Sequence, residues 1–167
     1  MKKLVLTVVL VLLFGGCAYR SIHTTDVTYY SISKVLNHTK EPGLEDLFLK
    51  VFKEEAGAYG FREGPKAELV IEIEVSDYTL KSLSVINSIA AEYAVSATVH
   101  MSYHFVQKEK TLARVYTSEF IQSFVSPQDV NAIEAKKQRV TEEVLREIAK
   151  RAIEELVLLS GNGTEKV

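Results

Sequence analysis

Two stretches in the middle of the chain alternate apolar and polar side chains, and no other feature restricts its folding as strongly. In residues 67–80, Leu69, Ile71, Ile73 and Val75 alternate with Glu68, Glu72 and Glu74. In residues 91–106, Tyr93, Val95, Ala97, Val99, Met101, Tyr103 and Phe105 alternate with Ser96, Thr98, His100, Ser102 and His104. Successive side chains of a strand point to opposite faces, so each stretch predicts a strand with one dry and one wet face. The dry face requires a second layer to cover it.

The flanking segments supply that layer. Leu44, Leu47, Phe48, Val51 and Phe52 recur at helical spacing. Thr39-Lys40-Glu41-Pro42 reads as the start of this helix, with Pro42 at the first helical turn, where its missing N–H costs nothing. Gly57 and Gly60 end it. Ser126-Pro127-Gln128-Asp129 reads as a capping box opening a long second helix. There Val140, Val144, Ile148, Ala152 and Leu156 form one stripe, with Leu145, Ala149, Ile153 and Val157 beside it. Ser160-Gly161-Asn162-Gly163 stops that helix. Residues 27–36, with Val27, Tyr29, Tyr30, Ile32 and Val35, predict a first strand. Residues 112–125 predict a fourth, joined to the third by a polar turn at 108–110. The order is β-α-β-β-β-α. It implies an α+β two-layer sandwich, a four-stranded, mostly antiparallel sheet with two helices on one face. Its first strand–helix–strand unit is a parallel right-handed crossover.

Connectivity sorts the loops into two ends. Residues 81–90 and the start of the last helix share one end, and the amino-terminus of the domain lies at the other. Segment 81–90 carries Leu83, Val85, Ile86 and Ile89. It is either an exposed apolar loop, longer than a usual hairpin connection, or a segment that extends a strand or folds back over the core. Lys81 lies at its edge, and Lys136, Lys137 and Arg139 are near the same end.

The first residues read as a targeting segment. Lys2 and Lys3 are followed by an apolar run from Leu4 to Phe14, too short to span a bilayer. Leu13-Phe14-Gly15-Gly16-Cys17 resembles a bacterial lipobox, cut before a cysteine that then carries diacylglycerol. The expected division is a lipoprotein signal peptide at 1–16 and a single domain at 17–167, anchored through Cys17. Several acyl chains, palmitate among them, hold a soluble domain on a membrane where one would not. By lipoprotein sorting rules, the non-acidic Ala18 implies the outer membrane.

Other functions find little support. The chain has 20 basic and 22 acidic residues, and two of the basic ones, Lys2 and Lys3, lie in the signal segment. A mildly acidic domain lacks the cationic surplus that nucleic acid requires. One cysteine excludes an internal disulfide or a cysteine-cluster metal site. His100 and His104 share a strand face but sit roughly 13 Å apart at strand rise, too far for one metal ion. No nucleophile elbow, Gly-rich phosphate loop or HExxH pattern occurs. The expectation is a protein without catalytic residues, cofactor or metal.

Gly16-Cys17-Ala18-Tyr19-Arg20, the strand ending in Asn37-His38-Thr39, and Glu41-Pro42-Gly43-Leu44-Glu45 opening a helix together resemble the LptE family of lipopolysaccharide-assembly lipoproteins. The order of elements and the long charged last helix are similar too. The resemblance implies an outer-membrane lipoprotein that plugs an LptD-like β-barrel, assists assembly of that barrel and takes part in lipopolysaccharide transport to the outer leaflet. It also implies basic residues near the tip that bind lipopolysaccharide, with Lys81, Lys136 and Lys137 as the positions here. The alternative is a stand-alone, periplasm-facing lipoprotein with a ligand-binding or scaffolding role.

Overall fold

The computed structural model describes residues 27–86, 89–118, 122–125 and 130–161. Cys17, the lipobox and the expected capping box at 126–129 lie outside the described residues. The elements run β1 (Tyr29–Asn37), α1 (Leu44–Ala58), β2 (Arg62–Glu63), β3 (Leu69–Ile86), β4 (Ile89–Phe105), β5 (Lys110–Thr117), β6 (Gln122–Val125) and α2 (Val130–Gly161). The sheet order is β2-β1-β3-β4-β5, with β6 pairing β4. β1 pairs parallel with β2 and β3, and the remaining ladders are antiparallel.

The α+β class and the two helices over one sheet face stand, but the four-stranded sheet is corrected. β2 adds a two-residue edge at the base, where Tyr29 and Tyr30 pair with Arg62 and Glu63. Two residues carry no detectable period, so β2 left no pattern to read. The expected fourth strand is interrupted. β5 pairs with Thr98–Phe105 of β4, and β6 resumes along the same edge at Glu92–Val95.

The alternation sorts the faces as expected. Leu69, Ile71, Ile73 and Val75 of β3 and Val95, Ala97, Val99, Met101 and Tyr103 of β4 are buried, at 1% exposure or less. Phe48, Val51 and Phe52 of α1 and Val144, Leu145, Ile148 and Ala149 of α2 cover them and are fully buried. β1 looks irregular in sequence because its register slips between Ile32 and Lys34. Ile32 pairs with Ile71 and Val35 with Ile73, so the bulge returns apolar residues to the helix side after a break in parity.

Both ends of α1 differ from expectation. The helix starts at Leu44 after Gly43, which has φ 79°, so Pro42 precedes the cap instead of lying in the first helical turn. At the other end Gly57 stays inside the last turn and Gly60, with φ 91°, ends it. The Gly60 N–H donates to the Gly57 carbonyl at 3.1 Å and the Phe61 N–H to the Ala56 carbonyl at 2.9 Å. This is a Schellman stop, with both Phe61 and Ala56 buried.

β3 and β4 outgrow the sheet. β1 leaves β3 at Val75 and β5 leaves β4 at Thr98, yet the hairpin ladder continues to Ile86↔Ile89. Residues 81–86 and 89–90 are therefore strand, extending the flanking strands. Residues 76–86 reach roughly 35 Å past the last β1 partner at strand rise. Tyr30 pairs with Leu69, so the described chain enters at the end opposite the hairpin tip.

Candidate functional site

The base of the projecting hairpin is built around one turn. Asn37 Oδ1 accepts from the Thr39 N–H at 2.9 Å and the Thr39 hydroxyl at 2.8 Å. Its Nδ2 donates to the Glu41 carbonyl and the Glu45 carboxylate, both at 2.7 Å. Every hydrogen-bonding position of this amide is used. The Glu41 N–H donates to the Thr39 hydroxyl at 3.2 Å. The segment from Asn37 to Glu45 is thus a clasp that turns the chain from β1 into α1.

The clasp is tied to α2. Lys137 Nζ lies 2.7 Å from Glu41 Oε1, and the lysine side chain is only 16% exposed. Burial opposes the charge on Lys137, but the hydrogen bond and charge of Glu41 outweigh it and hold its pKa above the usual lysine value. Nearby, the Tyr78 and Thr141 hydroxyls meet at 2.9 Å, joining the hairpin to α2. A cleft of about 420 Å³ opens between the clasp and the outer edge of β3, lined by His38, Thr39, Lys40, Glu41, Ser76, Asp77, Tyr78 and Leu80.

Farther down, charge networks lock the layers that support this end. Arg146 donates to Glu54, Glu55 and Glu142 at 2.7, 3.0 and 2.9 Å, bridging α1 and α2. Glu155 accepts from Arg114 and, at 2.9 Å, from the Tyr116 hydroxyl, which meets the buried Tyr103 hydroxyl at 3.1 Å. The hydrogen bond from Arg146 holds the Glu142 carboxyl below its ordinary value of 4.5. At Glu155, burial raises the pKa, but hydrogen bonds from Arg114 and Tyr116 bring it below 4.5. Depressed carboxyl pKa values contribute stability above the unfolded-state value, and the contribution is lost as pH falls through the folded one. Urea midpoints are therefore expected to hold from pH 7 to about 5 and to drop below pH 4.5. Arg146→Met should flatten that drop, as measured by circular dichroism across a pH series.

The match to the LptE family, described as lipopolysaccharide-assembly, spans residues 27–159. The chain belongs to the LptE family. It is thereby a member of a family of lipopolysaccharide-assembly lipoproteins. Among solved structures it is similar to rare lipoprotein B from Shewanella oneidensis, at 16% identity and a TM-score of 0.55, covering 81% of this chain and 98% of that one. It is likewise similar to a minor lipoprotein from Acinetobacter baumannii, at 15% identity and a TM-score of 0.54, covering 79% and 92%. At these identities the likeness concerns the fold. No curated protein sequence matches the chain.

Within this LptE-family fold the three lysines read from the sequence occupy different settings. Lys81 is exposed on the hairpin, in register with Ala94, on the sheet face turned away from the helices. Lys136 is exposed on the first turns of α2. Lys137, one position on, turns inward to Glu41. Lys81 and Lys137 therefore lie on opposite sides of the sheet. The described histidines, His38, His100 and His104, also fall on the helix-free face, where His104 Nδ1 lies 3.0 Å from the Thr111 hydroxyl and His38 Nε2 3.5 Å from Glu74. No group of three or more candidate ligands among the described residues could hold a metal ion. Among the described residues no helix is long and apolar enough to cross a membrane.

The clasp is the part of the site that residue-by-residue reading missed. Its signal was present, because Asn and Thr ahead of Pro-Gly are residues whose side chains bond the backbone of a turn. The Glu41–Lys137 pair had no such signal, since its members stand 96 positions apart.

Proposed function

We propose that this LptE-family chain is an outer-membrane lipoprotein, anchored through Cys17, that plugs the LptD β-barrel, assists its assembly and takes part in lipopolysaccharide transport to the outer leaflet. The observation that carries the reading is the β3–β4 hairpin, which projects past the sheet at the end opposite the entry of the chain. A tether at one end and a stiff projection at the other suit insertion into a lumen from the membrane's inner side. The chain's acts in this role are physical, not catalytic. Lipid anchoring concentrates the domain at the membrane, and the polar sheet face packs against the lumen wall. Lys81, and Lys136 beside the same end, contact lipid A phosphates.

The test is affinity purification of the tagged, lipidated chain from detergent-extracted envelopes. A stoichiometric large β-barrel that stays bound in high salt is the expected result. A chain that elutes alone overturns the plug reading in favour of a stand-alone lipoprotein. Lys81→Glu is expected to weaken retention of lipopolysaccharide severalfold. Its stability, followed by thermal melting, should change by no more than about 0.5 kcal/mol, the range of surface substitutions.

A further inference from the structure

The sheet treats its edges unequally. At the β5 edge, Arg114 donates to the Ala113 carbonyl at 3.1 Å and Arg151 to the Thr117 carbonyl at 2.8 Å, so arginines occupy carbonyls that another strand would need. At the base, β2 and the Glu68 carboxylate, 2.8 Å from the Thr28 nitrogen, cover the start of β1. The outer edge of β3 beyond Val75 has neither device. Among the described residues it pairs only with β4, through an unbroken register from Asp77↔Thr98 to Ser82↔Tyr93. The register shifts between Val75 and Asp77, so the parity of β3 reverses there and Asp77, Thr79 and Lys81 are exposed on the helix-free face. Leu80, on the other face, is 39% exposed, and Leu83 just beyond is 49% exposed.

We infer that the outer edge of β3 over residues 77–81 receives one extended segment of a partner polypeptide as an added antiparallel strand. The side chains specify that segment. In an antiparallel ladder, residues directly opposite share a face. The position facing Lys81 is acidic, the position facing Thr79 carries a hydroxyl, and the position facing Asp77 is basic. Between them, apolar side chains pack on Leu80 and Tyr78. From its amino-terminus the strand reads acidic, apolar, hydroxyl, apolar, basic. The cleft of about 420 Å³, which Asp77 lines, gives the long basic side chain room at the end of the strand.

A second copy of this chain is a poor occupant even though Asp77-Tyr78-Thr79-Leu80-Lys81 itself has the required order. With Asp77 facing Lys81 of the copy, residue 83 of the copy would face Val75, which already pairs with Asn37. The occupant is therefore a segment that leaves the sheet after its basic residue. The inference stands apart from the plug reading, since it needs no barrel and no lipid.

The test uses the full-length chain in detergent and two capped, fluorescent peptides, Ser-Glu-Val-Thr-Val-Arg-Ser and its charge-swapped form Ser-Arg-Val-Thr-Val-Glu-Ser. Anisotropy titrations are expected to give about tenfold tighter binding of the first, because two cross-strand pairs change from attraction to repulsion. The double reversal Asp77→Lys with Lys81→Asp should invert the preference, and amide exchange over residues 77–82 should slow on binding. Both changes sit on exposed side chains, and circular dichroism checks that the fold is kept. Equal affinity for the two peptides, binding of neither, or a preference that the double reversal leaves unchanged overturns the inference.

Discussion

Phe52→Ala is expected to destabilise the protein by about 3–5 kcal/mol, the range for deleting a buried aromatic ring. Phe52 is fully buried and joins two elements. Its ring meets Tyr30 of β1 edge-on, at 6.0 Å between centroids and 87° between planes. It also lies against Phe48 one turn earlier on α1, at 6.1 Å and 29°. Truncation removes apolar area, the edge-to-face contact and the atoms that fill the space between helix and sheet. For a domain of this size the melting temperature should fall by about 10 °C. Urea unfolding followed by circular dichroism gives the number. Leu158→Ala is the control, because Leu158 is 66% exposed and surface truncations stay within about 0.5 kcal/mol. Equal losses in the two variants would contradict the packing described for α1.

Asn37→Asp is expected to cost about 2–4 kcal/mol although it changes a single group. The substitution keeps the acceptor that holds the Thr39 N–H and hydroxyl. It replaces the donor that serves the Glu41 carbonyl and the Glu45 carboxylate with an oxygen, so two attractive contacts become repulsive. The consequence extends beyond the turn. The same turn sets Glu41, whose carboxylate holds Lys137 of α2. Loosening it should free the amino-terminal part of α2 before the rest of the fold opens. Hydrogen exchange is the discriminating measurement, with faster exchange expected around residues 137–141 and unchanged exchange in the centre of β4. Uniform acceleration across the chain would mean that the clasp acts only on global stability.

The sequence by itself determined what depends on neighbouring residues. Alternation up to Val75 and in 91–106 specified which side chains of β3 and β4 enter the core, and helical stripes did the same for α1 and α2; past Val75 a bulge reverses the parity of β3, which only the register against β4 shows. Each pattern records one element against one apolar layer, so a local period is enough to reveal it. The family, too, was legible in local strings, from Asn37-His38-Thr39 to Glu41-Pro42-Gly43-Leu44-Glu45.

Tertiary structure decided whatever depends on partners distant in the chain. The bulge after Ile32 is a property of β1 against β3, because only the register shows which residue is left unpaired. Whether 81–90 forms a loop or a hairpin was open in the sequence, since an apolar segment satisfies either until a facing strand supplies its hydrogen bonds. Lys81 and Lys137 look alike as charged residues near one end. The fold exposes the first on an open strand face and commits the second to Glu41, because an ion pair forms wherever the chain brings opposite charges together, at whatever separation in sequence.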